Sequence, residues 1–126
     1  MEHQRTPKIL VIDDERQIVA IIVRLLKRID PIPEIEVSYN GLDAMQKIAA
    51  FQPHLVITDY NLPGCNGLAI CQHIRNNPDT KNTKIIVVSS EPTEELFKCL
   101  VDLQVDLVLP KPFDNNTFTL VVKRIL

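Results

Sequence analysis

Short apolar runs alternate with helical apolar stripes along the whole chain, and this alternation limits the folds that it can adopt. The predicted strands are residues 8–12, 35–38, 55–58, 84–89 and 105–109. Predicted helices follow them over 18–29 and 40–51 and from near residues 67, 93 and 114. Strands that alternate with helices pair in parallel, so we expect an α/β protein with a five-stranded parallel sheet. The 126 residues suffice for one such domain with its own core, so a single domain over 1–126 is expected.

The apolar content of the strands indicates their order in the sheet. Three runs, 9–12, 55–57 and 85–88, are apolar at every position, as expected for central strands covered by helices on both faces. The second run, 35–38, alternates apolar and polar residues, which suits an edge strand. Right-handed crossovers then give the order 2-1-3-4-5, the flavodoxin-like, doubly wound (βα)5 arrangement. Ligands of such sheets bind beyond the carboxyl ends of the strands, here near strands 1 and 3.

Charge and cysteine content argue against several classes of function. The 14 Lys and Arg nearly balance the 16 Asp and Glu, and neither sign forms a run, so we expect no direct binding to nucleic acid or to a membrane surface. No apolar stretch approaches the roughly 18 residues that span a bilayer, and no signal peptide is visible, so a cytoplasmic location is expected. The three cysteines have no metal-ligand spacing and are predicted to be reduced thiols.

Acidic residues stand where two of the central strands end. Asp13 and Asp14 follow the first strand, and Asp59 follows the third. Neighbouring strands lie about 4.8 Å apart, so the predicted sheet brings these carboxylates to one edge. Two carboxylates about 5 Å apart repel by roughly 3 kcal/mol at an effective dielectric of 20, so the cluster requires a cation. Oxygen ligands without a nearby His or Cys favour Mg²⁺.

Two more polar residues, Ser89 and Lys111, follow the fourth and fifth strands. Together with Mg²⁺, a hydroxyl and an ammonium group at this edge could neutralise phosphoryl oxygens while Asp59 acts as a nucleophile. Each residue alone also has a simpler interpretation. Asp13 and Asp14 could stabilise a helix start, Asp59 could begin a turn, Ser89 could cap a helix, and Lys111 could be a solvated loop residue. No glycine-rich phosphate loop is present, so the sequence does not support nucleotide binding.

In this order and spacing, the segments that end the strands resemble the receiver domain of two-component response regulators, from Ile9 to about Leu126. The segments are Ile-Leu-Val-Ile-Asp13-Asp14-Glu15, Leu-Val-Ile-Thr-Asp59-Tyr-Asn-Leu-Pro63-Gly64-Cys-Asn-Gly67, Val-Val-Ser89-Ser90 and Leu-Pro-Lys111-Pro112-Phe113. The resemblance implies that Asp59 accepts a phosphoryl group from a sensor histidine kinase or phosphotransfer protein and that the resulting change controls a partner or effector domain. It also implies a protein that is not an enzyme beyond its own phosphoryl transfer and autodephosphorylation.

The resemblance also implies a magnesium site. Asp14 and Asp59, with the backbone carbonyl of Asn61, would ligate Mg²⁺ directly. Asp13 would hold the ion mainly through water.

The segments around strands 4 and 5 carry the expected phosphoryl contacts and two departures from the family. Lys111 and the Ser89 hydroxyl would bind the phosphoryl oxygens, and the peptide between Lys111 and Pro112 is expected to be cis. Val108 stands where the family usually has an aromatic residue that turns inward on activation. The dipeptide 104–105 is Gln-Val where the family usually has Gly-Ala.

The sequence leaves the output and two alternative functions open. The family's usual output face, made by helix 4, strand 5 and helix 5, could form a homodimer or bind a partner, although the simpler interpretation is that most of its apolar residues are core. These residues are Phe97, Leu100, Val101, Val108, Phe118 and Val122. A pseudo-receiver that binds partners without phosphorylation is the first alternative. The second is an aspartyl phosphohydrolase, but such enzymes place Asp-x-Asp after the first strand, where this chain has Asp13-Asp14-Glu15.

Overall fold

The computed structural model describes residues 6–126, and over this range five strands and five helices alternate strictly. The strands are β1 (Lys8–Ile12), β2 (Glu34–Ser38), β3 (Leu55–Asp59), β4 (Lys84–Ser89) and β5 (Leu107–Pro110). The helices are α1 (Arg16–Leu26), α2 (Gly41–Phe51), α3 (Gly67–Asn76), α4 (Glu94–Asp102) and α5 (Asn115–Ile125). None of these helices is long and apolar enough to cross a membrane. The α/β class predicted from the apolar alternation is confirmed.

The five strands pair in parallel in the order β2-β1-β3-β4-β5, as predicted. The three central strands are buried along their length except at Lys8 and Lys84, their first residues, whereas β2 at the edge is partly exposed. One hydrophobic cluster joins the sheet to α1 and α5, and a second cluster on the opposite face joins it to α2, α3 and α4. Because both faces are covered by helices, the carboxyl ends of the strands form the open edge where a ligand can bind.

The first helix ends earlier than its apolar spacing predicts. It was expected to reach Ile29 but stops at Leu26. Beyond it, the N–H of Arg28 donates to the carbonyl of Leu25, and that of Ile29 to that of Leu26, both at 3.1 Å. These bonds span three residues instead of four, which is the tighter geometry that often ends a helix. Ile29 is still only 4% exposed, which explains why the apolar pattern continues past the helix end.

The last strand begins at Leu107, two residues later than the predicted start at Val105. Gln104 has a φ of 56°, in the left-handed region, so the chain turns sharply before the strand. The Asp106 carboxylate then accepts a hydrogen bond from the backbone N–H of Ile85 at 2.8 Å. Because a side chain occupies this β4 donor, backbone pairing with β4 starts only at Asp106, whose N–H donates to the carbonyl of Ile85 at 2.9 Å.

The three cysteines are free thiols. Cys71 is buried on α3, and this burial raises the pKa of its thiol to about 12. Cys99 is exposed on α4 and Cys65 is half-buried in the loop after β3.

Replacing Gln104 by glycine should stabilise the protein. The left-handed conformation costs a residue with a side chain roughly 1–2 kcal/mol, and glycine removes this cost. The extra freedom of glycine in the unfolded chain offsets about 0.5–1 kcal/mol of the gain. The carbonyl of residue 104 still accepts its 3.0 Å hydrogen bond from Arg75, because the backbone is unchanged. We therefore expect the free energy of unfolding of Gln104→Gly to rise by about 0.5–1 kcal/mol, measured by urea denaturation with an unchanged m-value.

Gln46→Gly is the matched control, because Gln46 is exposed within α2 in ordinary helical conformation. The free energy of unfolding of this control should fall by about 1 kcal/mol, because glycine is unfavourable inside a helix. If Gln104→Gly lowered the free energy of unfolding by a similar amount, the left-handed conformation of Gln104 would not be a source of strain that glycine removes.

Candidate functional site

Three aspartates meet where β1 and β3 end. Ile12 of β1 pairs with Thr58 of β3, so Asp13 lies directly beside Asp59. One carboxylate oxygen from each of Asp13, Asp14 and Asp59 lies within 4.8 Å of the other two. Asp13 is 2% exposed and Asp59 is 6% exposed, whereas Asp14 is open to solvent. Buried carboxylates this close together are costly unless a positive charge compensates them.

Lys111 provides a positive charge to this cluster. Its Nζ lies 3.0 Å from Oδ2 of Asp13 and 3.4 Å from Oδ1 of Asp59, and its side chain is 15% exposed. The backbone N–H of Lys111 donates to the carbonyl of Ser89 at 2.9 Å, which fixes the start of the loop after β5 against the end of β4. The peptide between Lys111 and Pro112 is cis, as expected. Lys111 is therefore a largely buried ion-pair partner and not a solvated loop residue.

The carboxylates of the cluster carry more negative charge than the Lys111 ammonium group can neutralise. Burial raises the pKa of Asp59, and the charge of Asp13 raises it further, while Lys111 and the backbone N–H of Asn61 only partly oppose this increase. Burial acts to lower the pKa of Lys111, but its hydrogen bond to Asp13 and the charges of both carboxylates outweigh burial and raise it. One ammonium group thus faces more carboxylate charge than it can neutralise, which favours the binding of a further cation.

The alternation of side chains along the strands explains which residues meet. The residues two positions before Asp13, Asp59 and Lys111 all point into the cluster under α1 and α5, and they are Val11, Ile57 and Leu109. Continued by two residues, this alternation puts Asp13, Asp59 and Lys111 on the same side of the sheet. Ser89 instead follows Val87 by two positions, and Val87 points into the opposite cluster with α2, α3 and α4.

Within residues 6–126, Ser89 accordingly lies at the same edge without a hydrogen bond to the aspartates. It is 1% exposed and ends β4. Its Oγ accepts a hydrogen bond from the backbone N–H of Glu91 at 3.2 Å, and within residues 6–126 no hydrogen bond links Oγ to Asp59 or to the Lys111 side chain. Ser89 does not cap α4, since that position belongs to Thr93. The hydroxyl hydrogen of Ser89 is available to an acceptor that enters the site.

The loop after β3 holds Asn61 and approaches Asp59 closely. The backbone N–H of Asn61 acts to lower the pKa of the Asp59 carboxyl, while the Asn61 side chain is exposed. The N–H of Gly67 donates to the carbonyl of Tyr60 at 2.7 Å, which closes the loop. A Cβ at Gly67 would lie 2.8 Å from the carbonyl oxygen of Asp59 and 2.9 Å from the Cα of Tyr60, so only glycine permits this approach.

The sequence reasoning missed a support for Asp13 at the end of β2. The carbonyl of Ser38 accepts a hydrogen bond from the backbone N–H of Asp13 at 3.1 Å, and the Ser38 hydroxyl donates to Oδ2 of Asp43 at 2.6 Å. Asp43 in turn pairs with Lys47 at 3.2 Å. The hydrogen bond to Asp13 joins two backbone groups, so the residue type at position 38 carries no signal of it.

Comparison with known proteins agrees with this arrangement. A family model described as response regulator receiver domain matches residues 9–123. The probable chemotaxis protein CheY of Rhizobium etli is 32% identical over 107 residues, which cover 84% of this chain and 81% of that protein. Protein PilG of Pseudomonas aeruginosa is 32% identical over 111 residues, which cover 86% of this chain and 79% of that protein.

A solved structure shows the same architecture. The response regulator signal receiver domain from Bermanella marisrubri superposes with a TM-score of 0.82. It is 31% identical, and the match covers 96% of this chain and 98% of that one. The similarity therefore extends over the whole sheet and its helices.

Removing the charge of Asp59 should stabilise the protein in metal-free solution. The Asp59→Asn substitution removes the repulsion from Asp13 and the cost of burying a second carboxylate. We expect its free energy of unfolding in EDTA at neutral pH to exceed that of the wild type by about 1–2 kcal/mol. The folded-state pKa of Asp59 is raised above its ordinary value of 3.8, so as the pH falls the carboxyl takes up a proton in the folded protein before it does in the unfolded chain. The free energy of unfolding of the wild type therefore rises towards that of Asp59→Asn as the solution becomes mildly acidic. Urea denaturation at neutral and mildly acidic pH measures both free energies of unfolding, and the difference between the two proteins should be smaller at the lower pH.

Asp79→Asn is the control, since Asp79 is exposed in the loop before β4. Its effect should stay within about 0.5 kcal/mol at both pH values. A destabilised Asp59→Asn variant would contradict the prediction and show that Lys111 depends on Asp59 for its own stabilisation.

Proposed function

Because the chain belongs to the response regulator receiver domain family, we propose that it is the phosphoacceptor of a two-component system and that Asp59 takes the phosphoryl group from a phosphohistidine. The donor is a sensor histidine kinase or a phosphotransfer protein. The observation that carries this proposal is the buried cluster in which Asp59 faces the Lys111 ammonium group at 3.4 Å. In the transfer, an Asp59 carboxylate oxygen forms a bond to phosphorus as the phosphorus–nitrogen bond breaks and the histidine leaves.

The acidic cluster suits Mg²⁺ as the cofactor. Its ligand atoms are hard carboxylate oxygens that already lie within 4.8 Å of one another. We assign direct ligation to Asp14, Asp59 and the backbone carbonyl of Asn61. Asp13 is assigned a role through water, because both of its oxygens already accept hydrogen bonds, one of them from Lys111. When bound, Mg²⁺ supplies the positive charge that this cluster lacks and stabilises charge on the phosphoryl oxygens.

Lys111 and Ser89 are proposed to bind the phosphoryl oxygens. Lys111 can turn from Asp59 to the phosphoryl group and keep its 3.0 Å contact with Asp13, which holds its charge at the site. The Ser89 oxygen is already an acceptor for Glu91, so its hydrogen is free to be donated. Ser89 forms no hydrogen bond to Asp59 within residues 6–126, and we propose that its engagement with the phosphoryl group moves the end of β4.

This movement is the proposed start of the output. Ser89 leads into residues 90–93, which connect β4 to α4. Val108 of β5 pairs with Val87 of β4 and packs against the cluster that contains α4. Since Val108 has no aromatic ring to rotate, we propose that displacement of Ser89 and of the segment before α4 transmits phosphorylation.

The face made by α4, β5 and α5 is the proposed site of a homodimer or of a partner. Three of the six apolar residues predicted for this face belong to the core, namely Leu100, Phe118 and Val122. Phe97 and Val101 lie one turn apart on α4 and are 43% and 70% exposed, while Val108 is half-buried. Leu120 on α5 adds a side chain that is 56% exposed. The exposed residues are those that a second protein could cover.

The remaining parts of the proposal concern the class and location of the protein. Receiver domains are generally phosphoacceptors and not enzymes, and we propose that this one catalyses only its own phosphorylation and autodephosphorylation. It would act in the cytoplasm without binding nucleic acid or membranes directly. A pseudo-receiver is less well supported, because partner binding alone gives no reason to keep Asp13 and Asp59 buried together against their repulsion. A phosphohydrolase is not favoured by the family match.

Incubation with Mg²⁺ and acetyl phosphate, followed by intact mass spectrometry, tests the phosphoacceptor role. We expect a single phosphoryl adduct on the wild type and none in EDTA or in Asp59→Asn. Lys111→Ala should form the adduct about 10²-fold more slowly, because it removes the charge that stabilises the transferring group.

Asp79→Asn again serves as the control and should be phosphorylated at the wild-type rate. Absence of an adduct on the wild type under conditions where urea denaturation shows a folded protein would favour the pseudo-receiver. Continuous turnover of a phosphomonoester would instead favour a phosphohydrolase.

Sedimentation velocity with and without beryllofluoride, a phosphoryl mimic, tests the dimer. We expect the sedimentation coefficient to rise with the mimic in the wild type and to stay at the monomer value in the double variant Phe97→Ser, Val101→Ser. The matched control is Leu42→Ser, because Leu42 is 73% exposed on α2, away from this face. A monomer in both states at high concentration would exclude the homodimer.

A further inference from the structure

A shallow groove of about 410 Å³ runs between α1 and the edge strand β2, and its lining includes neither the three aspartates nor Lys111. Val23 and Val37 form part of its floor and are half-buried, and Tyr39 closes one side. Ala20 is exposed on the α1 wall, where its small side chain keeps the groove open. The groove can therefore accept an apolar side chain without rearrangement of the core.

The rim of the groove carries charge of one sign. Arg16, Arg24 and Lys27 are three of its eight lining residues, and none of the eight is acidic. Among residues 6–126, none of these cations forms an ion pair. The guanidinium carbon of Arg16 lies 4.0 Å from the centre of the Tyr39 ring, which holds this charge beside the groove. In a chain with a net charge of −2, this is a local excess of positive charge.

The open edge of β2 offers a second way to bind a partner, but part of it is already occupied. An exposed strand edge can pair with a strand of another protein through its free backbone groups. Here the Lys47 ammonium group donates to the carbonyl of Val37, near the carboxyl end of this edge. A lysine placed in this way hinders strand addition. Recognition at this side of the molecule is therefore left to the side chains of the groove.

We propose that the groove between α1 and β2 docks an acidic segment of a partner protein, which inserts an apolar side chain over Val23 and Val37 and pairs its carboxylates with Arg16, Arg24 and Lys27. Three cations match few phosphates, and the apolar floor has no counterpart on a nucleic acid backbone. A membrane surface would favour cations on a convex face, whereas these cations surround a concave one. An acidic peptide with an apolar anchor satisfies both features of the groove.

Titration of the ¹⁵N-labelled protein with a synthetic peptide, in which glutamates flank two leucines, tests this proposal by NMR. We expect shifts confined to α1 and β2 and an affinity that falls with added salt. The triple variant Arg16→Gln, Arg24→Gln, Lys27→Gln should bind at least about tenfold more weakly. The control Lys81→Gln, Lys84→Gln, Lys98→Gln removes the same charge at exposed positions elsewhere and should bind with less than twofold change.

A second pair of variants tests the shape of the groove without changing its charge. Ala20→Gln adds bulk to the groove wall and should weaken the peptide at least fivefold, whereas Ala49→Gln, on the exposed face of α2, should leave the affinity unchanged. Equal weakening by both triple variants would overturn the proposal in favour of diffuse electrostatic attraction. Tighter binding of an oligothymidine than of the peptide at the same residues would identify a nucleic acid site instead.

The outcome is independent of the phosphoacceptor role. The groove variants leave the aspartate cluster and Lys111 unchanged, so acetyl phosphate should label them at the wild-type rate. Peptide binding without phosphorylation would leave the groove assigned and refute the phosphoacceptor role. Phosphorylation without peptide binding would support the phosphoacceptor role and refute the assignment of the groove.

Discussion

One ammonium group holds together two buried carboxylates that would otherwise repel each other. Lys111 contacts Asp13 and Asp59 at 3.0 and 3.4 Å, and these residues come from the ends of three different strands. The contact exists only when β5, β3 and β1 stand in their final order, so it ties the local chemistry to the topology of the whole sheet. Its incomplete neutralisation keeps the site receptive to a cation, at the expense of stability.

The strand order and the position of the site were predictable because they depend on burial and direction alone. A strand covered on both faces must be apolar at every position, which separated β1, β3 and β4 from the alternating β2. Parallel strands end at one edge, so polar residues after them had to be neighbours. These rules need no knowledge of side-chain conformation, and the structure confirms the fold that they predict.

Details that depend on single long-range hydrogen bonds were not predictable. The Asp106 carboxylate occupies a donor of β4 and delays β5, and the Ser38 carbonyl supports Asp13 from a neighbouring strand. Both contacts join residues distant in sequence whose types alone do not reveal the pairing. The absence of a hydrogen bond between Ser89 and Asp59 within residues 6–126 depends on the side of the sheet to which each side chain points, which the positions of the strand ends do not give.

Because Ser89 and Asp59 follow side-chain alternations that lead to opposite faces of the sheet, a displacement at Ser89 affects the two faces differently. The sheet is a partition between two cores, and Ser89 follows the alternation that leads into the core shared by α2, α3 and α4. A displacement that begins at Ser89 therefore reaches α4 directly, while the core under α1 and α5 is shielded by a layer of backbone. A partner seated between α1 and β2 would be separated by this backbone layer from a displacement at Ser89 and α4. The protein could then remain tethered at one face while its opposite face switches on and off.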